Sequence, residues 1–153
     1  MINTVSVIKQ AEQQCKANGV RLTPKRKQIL TGLLYSHTGL SAYELVDYYK
    51  VTHGDPIPPM SVYRILDFLQ EQRLVHKLNL ANKYVACAHI TCGHDHGTQQ
   101  FLICGKCERV EEISVPQKTI KAIQLSVEKA GFELVSRQLE MNCLCQNCHD
   151  KAT

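Results

Sequence analysis

The 153-residue sequence predicts an α+β chain in two parts. A helical N-terminal half closed by a β-hairpin, the winged-helix pattern, precedes a small C-terminal α/β half. Three observations predict it. Four segments before residue 73 repeat apolar residues at helical spacing, with Gly- and Pro-marked breaks among them. Two short strand-like runs joined by Ala81-Asn82 follow. Beyond them, two Cys-x2-Cys pairs, Cys104/Cys107 and Cys145/Cys148, bracket a strand-helix-strand pattern. The expected domains are residues 1–84 and 85–153.

Ile8, Ala11 and Cys15 share one face of a first helix near residues 3–18, which Gly19 is placed to end. Cys15 then reads as a small buried apolar residue. Thr23 suits the N-cap and Pro24 the first position of a second helix, with Ile29, Leu30, Leu33 and Leu34 turned inward. Ser41-Ala42-Tyr43-Glu44 is a capping box opening a third helix that buries Leu45 and Val46 and carries Tyr48 and Tyr49. Pro56, Pro58 and Pro59 exclude helix from the segment 53–59. Ser61 is expected to cap a fourth helix, Val62 to Gln72. Val62, Ile65, Leu66 and Leu69 face inward there, and Tyr63, Arg64 and Asp67 outward. Residues 73–78 and 83–86 form the hairpin. In the second half, Gln100 to Ile103 and Arg109 to Ile113 are expected strands. Pro116 opens a helix with Ile120, Ile123, Val127 and Ala130 on one face and Gly131 at its end. Phe132 to Met141 is expected to return as a strand.

Composition bounds the function classes. No apolar run approaches membrane-spanning length, and the N-terminus lacks a signal-peptide core. Eight cysteines without a secretory signal point to metal binding in a reducing cytoplasm rather than to a disulfide framework. The net charge of +4 is unevenly spread: residues 1–84 carry a net +5 and residues 85–153 a net −1. A basic first half suits a nucleic-acid partner. A zinc deaminase would pair His-x-Glu with Pro-Cys-x-x-Cys; here neither His89 nor His94 is followed by Glu at that spacing, and no proline precedes Cys104 or Cys145. No Ser/His/Asp arrangement is evident either, so an enzyme is not expected, nor a small-molecule substrate.

The densest chemistry lies in Tyr84 to Glu112, with Cys87, Cys92, Cys104, Cys107, His89, His94 and His96. Thiolate and imidazole together favour zinc. Cys104, Cys107, Cys145 and Cys148 can close a four-thiolate tetrahedron, which leaves no position for substrate and is therefore structural. A second set, His76, Cys87, His94, His96 and Glu112, mixes nitrogen, sulfur and oxygen and draws on both halves, so its occupancy could set an interdomain angle. His94-Asp95-His96 read alone is an ordinary polar loop, and the case rests on the cluster. Cys92 and His89 are neighbouring spares, while Cys143 and His149 read as exposed residues of the tail.

Two features suit DNA. Arg21, Lys25, Arg26 and Lys27 gather at a helix N-terminus, where backbone N–H groups also attract phosphate. Ser61, Tyr63 and Arg64 begin the fourth helix, where an exposed Arg can chelate guanine and a Tyr can reach phosphate or a thymine methyl.

These residues carry a resemblance. RLTPKR (21–26), SAYEL (41–45), PPMSVYRILDFL (58–69), LVHK (74–77), the HDH motif (94–96) and the two Cys-x2-Cys pairs together resemble the ferric uptake regulator family of bacterial metal-sensing repressors, over nearly the full chain. Within that family the sequence is most similar to the zinc uptake regulator branch, through VHK, Cys87 and the VEE after Cys107. The resemblance implies a homodimer whose winged helices bind a palindromic operator when zinc fills a sensor site. It puts sensor ligands at His76, Cys87, His96 and Glu112, structural ligands at Cys104, Cys107, Cys145 and Cys148, and DNA contacts at Tyr43, Tyr63 and Arg64. The longer loop between the HDH motif and Cys104 leaves both His94 and His96 as candidates. About two zinc ions per chain are thus expected. The expected function is a zinc-dependent repressor of zinc uptake genes. The alternatives are an iron- or peroxide-responsive relative and a zinc-stapled interaction module without DNA binding.

Overall fold

A computed structural model describes residues 3–91, 97–136 and 138–151, and the chain divides into two compact units, Met1–Gly93 and His94–Thr153. The first unit contains α1 (Thr4–Ala17), α2 (Pro24–Tyr35), α3 (Ala42–His53), α4 (Pro59–Glu71), β1 (Val75–Leu78) and β2 (Lys83–Ala86).

Helix ends follow the side-chain chemistry. Thr23 Oγ1 accepts from the N–H of Arg26 and Ser41 Oγ from the N–H of Glu44, each satisfying an orphan donor of the first turn. Gly54 closes α3 at φ 77°, a conformation a side chain would strain. Two expectations shift. The inward face of α1 is Val7, Ala11 and Cys15, with Ile8 only half-buried beside it. α4 begins at Pro59 with Pro58 as its cap, so Ser61 lies inside the first turn and does not cap it. The cause is local: Pro59 at the first helical position has no N–H to leave unsatisfied and its φ is already helical.

The core of this unit runs from Val7 and Ala11 through Ile29, Leu30, Leu33, Leu45, Leu66 and Leu69 to Leu74 and Tyr84. Each fully buried Leu or Ile contributes about 1.5–3 kcal/mol. Cys87 and Ile90 belong to the same core, so the loop after β2 packs with the helices. α2 and α3 meet where Gly32 faces Tyr48, and a Cβ at residue 32 would lie 2.7 Å from the ring. The β1–β2 hairpin pairs His76 with Val85 and Lys77 with Tyr84. An antiparallel bridge from Leu40 to Tyr84 adds a short third segment, completing the wing.

The second unit contains β3 (Gln99–Cys104), β4 (Val110–Ser114), α5 (Gln117–Lys129), β5 (Gln138–Cys143) and α6 (Gln146–Asp150). Its sheet has the order β4-β3-β5, with β4 antiparallel and β5 parallel to β3. The last strand starts later than the pattern suggested. β5 pairs from Gln99↔Gln138 to Cys104↔Cys143, and because β3 begins at Gln99 it offers Phe132 to Ser136 no partner. Cys143 is correspondingly the last residue of β5 and half-buried, not a tail residue. Among the described residues of this unit, only Phe101, Ile103, Cys104 and Ile120 are buried apolar side chains. A core that small does not hold a fold unaided.

Candidate functional site

The two Cys-x2-Cys pairs meet at one end of the sheet. Cys104 ends β3, Cys107 lies in the turn that follows, Cys145 caps α6 and Cys148 sits within it. Parallel pairing of β3 with β5 carries the second pair to the first, and a bond from Gly105 N–H to Cys143 O (3.0 Å) closes the junction. All four sulfurs lie within 4.8 Å of one another, and Cys107 Sγ is 3.7 Å from Cys145 Sγ. That separation is far beyond a disulfide. It matches the edge of about 3.8 Å that a tetrahedron with zinc–sulfur bonds of about 2.3 Å requires. The donor set therefore fits zinc.

Proton chemistry agrees with a thiolate cage. Backbone N–H groups pull the Cys104 thiol down to about 6, that of Cys107 most strongly, then those of Cys145 and Lys106. The Cys145 N–H donates to Cys104 Sγ at 3.4 Å. Cys148 is pushed up to about 12, first by its hydrogen bond with the Cys145 side chain. Cys104 is thus a sulfur solvated by amides, whereas Cys148 is one crowded by other sulfurs. A divalent cation removes that crowding cost.

In the first unit, His76 on β1 and Cys87 just beyond β2 bring their ligand atoms within 4.8 Å of each other. The Cys87 N–H donates to Leu74 O (2.9 Å), pinning the loop to the wing, and the His89 N–H donates to Cys87 Sγ (3.4 Å). His89 thus serves Cys87 through its backbone. Only its place two residues after Cys87 signalled this in the sequence. Glu112 lies on β4 of the second unit, half-buried and opposite Phe101 in the strand register. His94 and His96, with Cys92, lie outside the described residues. His149 is exposed, with Nδ1 3.5 Å from Asp150 Oδ1.

The candidate nucleic-acid face is built on α2, α3 and α4. Tyr43, in the first turn of α3, is 64% exposed. Tyr63 and Arg64 are exposed on the outer side of α4, while Ser61 is half-buried in its first turn. The basic cluster divides. Arg21 and Lys25 are exposed, but Lys27 Nζ pairs with Glu12 Oε1 at 2.7 Å. Arg26 is engaged inward: its Nη1 donates to Arg21 O (2.7 Å) and its guanidinium lies 3.6 Å from the centre of the Phe68 ring. Sequence patterning gave no sign of Phe68 in this role, since an aromatic at the edge of an apolar face reads as core. Among the described residues, no helix is long and apolar enough to cross a membrane.

The model of the ferric uptake regulator family matches residues 17–142. The chain is 35% identical to the zinc uptake regulation protein of Escherichia coli (strain K12) over 145 residues, covering 95% of this chain and 82% of that protein. It is 31% identical to the peroxide operon regulator of Bacillus subtilis (strain 168) over 147 residues, covering 94% of each. A solved zinc uptake regulator complexed with zinc and DNA superposes with a TM-score of 0.84 at 32% identity, covering 99% of both chains. This chain belongs to the ferric uptake regulator family.

Proposed function

We propose that the chain is a zinc-dependent DNA-binding transcriptional repressor that controls zinc uptake genes, acting in the cytoplasm as a homodimer on a palindromic operator. The observation that carries this reading is the buried Cys87 thiol beside His76 on the wing of a winged helix. It stands in a chain similar throughout to a zinc uptake regulator solved with zinc and DNA. A thiolate at that position favours zinc over ferrous iron, which sets the iron- and peroxide-responsive readings behind it.

Zinc, when bound, supplies a divalent centre that holds its ligands in one arrangement. In this reading Cys104, Cys107, Cys145 and Cys148 hold a structural ion that ties β3 to α6. His76, Cys87 and Glu112, with His94 or His96, hold the regulatory one, and the first and second units serve as the DNA-binding and the metal-binding dimerisation domain. Tyr43, Tyr63 and Arg64, with Arg21 and Lys25 on phosphate, contact the duplex. Apolar Leu125, Phe132, Val135 and Met141, all at least 49% exposed on the second unit, support pairing with a second copy. The chain has neither a catalytic role nor a membrane partner in this reading.

Metal analysis before and after mild chelation, with DNA binding measured on each sample, tests the proposal. About two zinc ions per chain should fall to about one, and operator binding should go with the ion that leaves. A single tightly held zinc with DNA binding indifferent to chelation would mean that the regulatory cluster is no zinc sensor and move the iron-responsive reading ahead. A chain that binds no duplex would move the interaction-module reading ahead. A separate test concerns the base-reading end of α4. Arg64→Ala should cost about 1–3 kcal/mol of operator preference and leave zinc content unchanged. Unchanged discrimination between operator and scrambled duplex would remove Arg64 from the recognition surface.

A further inference from the structure

We infer that Arg26 is a positioning residue for the recognition helix: stacked on Phe68 and bonded to the Arg21 carbonyl, it fixes α4 to the basic loop at the start of α2 and does not itself contact phosphate. The inference rests on the DNA-binding reading above and goes beyond it, because patterning alone groups Arg26 with its basic neighbours.

The geometry commits this guanidinium on two sides. One nitrogen donates to Arg21 O at 2.7 Å, and the ring of Phe68 covers a face at 3.6 Å. The side chain is half-buried, whereas the neighbouring Lys25 and Arg21 are exposed. A phosphate contact that drew the side chain outward would break a hydrogen bond and a cation–π stack before making its own. Lys25 breaks nothing. The basic cluster therefore holds two kinds of cation, and charge counting cannot tell them apart.

What the stack connects gives it a role. Phe68 lies on α4 four residues after Arg64, hence about one turn along the same side of the helix. Arg21 and Lys25 flank the N-terminus of α2. Arg26 thus joins the element expected to hold the backbone of the duplex to the element expected to read its bases. Losing it should blur the register between the two and lower discrimination, with little change in electrostatic attraction. A phosphate contact would behave oppositely. It would lower affinity on every duplex and reduce the salt dependence by about one unit of slope.

The zinc-loaded full chain, a duplex it selects from a random library, and a scrambled duplex of equal length provide the test. Dissociation constants on both duplexes across a salt series would be measured for the wild type, Lys25→Ala, Arg26→Ala, Phe68→Leu and Phe68→Tyr. Arg26→Ala and Phe68→Leu should each lose about tenfold in the ratio of selected to scrambled affinity, with the salt slope unchanged. Phe68→Tyr keeps a ring and should keep the ratio, which a general loss of packing would not predict. Lys25→Ala should reduce the slope by about one on both duplexes and spare the ratio. The inference is overturned if Arg26→Ala behaves like Lys25→Ala while Phe68→Leu is silent.

A DNA-free arm reads the stack itself. In the NMR spectrum of the zinc-loaded chain, the Arg26 side-chain protons should be shifted upfield by the Phe68 ring current, and Phe68→Leu should abolish the shift. An unshifted Arg26 overturns the inference without reference to DNA. A wild-type chain that enriches no duplex, with or without zinc, ends the DNA-binding reading, and the positioning role with it. A chain that enriches a duplex but shows an unshifted Arg26 ends only the latter.

Discussion

Cys104→Ser should give a chain whose first unit is folded and whose second is not. Structural zinc contributes about 10–16 kcal/mol in small zinc-dependent folds. The second unit has little else to rely on, with Phe101, Ile103, Cys104 and Ile120 as its buried apolar side chains among the described residues. Cys104 is also the sulfur on which the backbone N–H groups of Cys107, Cys145 and Lys106 converge, so serine there loses a favoured thiolate together with its amide donors. The first unit has a core that runs from α1 to the loop after β2 and does not draw on this cluster. Limited proteolysis should therefore degrade residues beyond about 97 in the variant and spare the helices, and metal analysis should show the tightly held ion gone. Retention of that ion with an unchanged proteolytic pattern would show that the four sulfurs are not the staple.

Cys87→Ser should do the opposite, sparing the fold and removing the response. Serine is close to cysteine in size, and the backbone bond from residue 87 to Leu74 O is independent of the side chain. Its hydroxyl is a poor zinc ligand at neutral pH, so the His76–Cys87 pair loses its soft member. Coupling between a metal site and a second binding site is worth about 5- to 150-fold in affinity. That factor should disappear, leaving a variant that keeps the four-sulfur ion and binds the operator equally weakly with and without added zinc. Fluorescence anisotropy of a labelled operator across a zinc titration measures it directly. A full zinc response in Cys87→Ser would exclude this residue from the regulatory site.

Much of the fold was legible because its signals are local. Thr23-Pro24 and Ser41 to Glu44 are short-range instructions, and the structure places a helix start at each. The spacing of Val62, Ile65, Leu66 and Leu69 gave the inner face of α4 without knowledge of what it packs on. The four-cysteine cluster was legible too, since two Cys-x2-Cys turns separated by a strand, a helix and a strand have few ways to meet. What could not be read depends on partners distant in sequence. The start of β5 is set by where β3 begins, almost forty residues earlier. Ser61 looked like a cap until Pro58 and Pro59 took the helix start from it. Arg26 carried the same charge signal as Lys25, and only Phe68, brought over by α4, distinguishes them.

Among the described residues, the order β4-β3-β5 leaves two strands of the small sheet with an open side, and both carry exposed apolar residues, Ile113 on β4 and Met141 on β5. An unpaired backbone edge beside apolar side chains is the template on which aggregates grow. In the homodimer proposed above a second copy would cover that edge, and a newly made chain is at risk until it does. Pairing and aggregation both speed up as chains become more abundant, so dilution alone does not separate them. The solubility of this chain is then a race, and overproduction in a heterologous host is the setting in which the wrong competitor gains most.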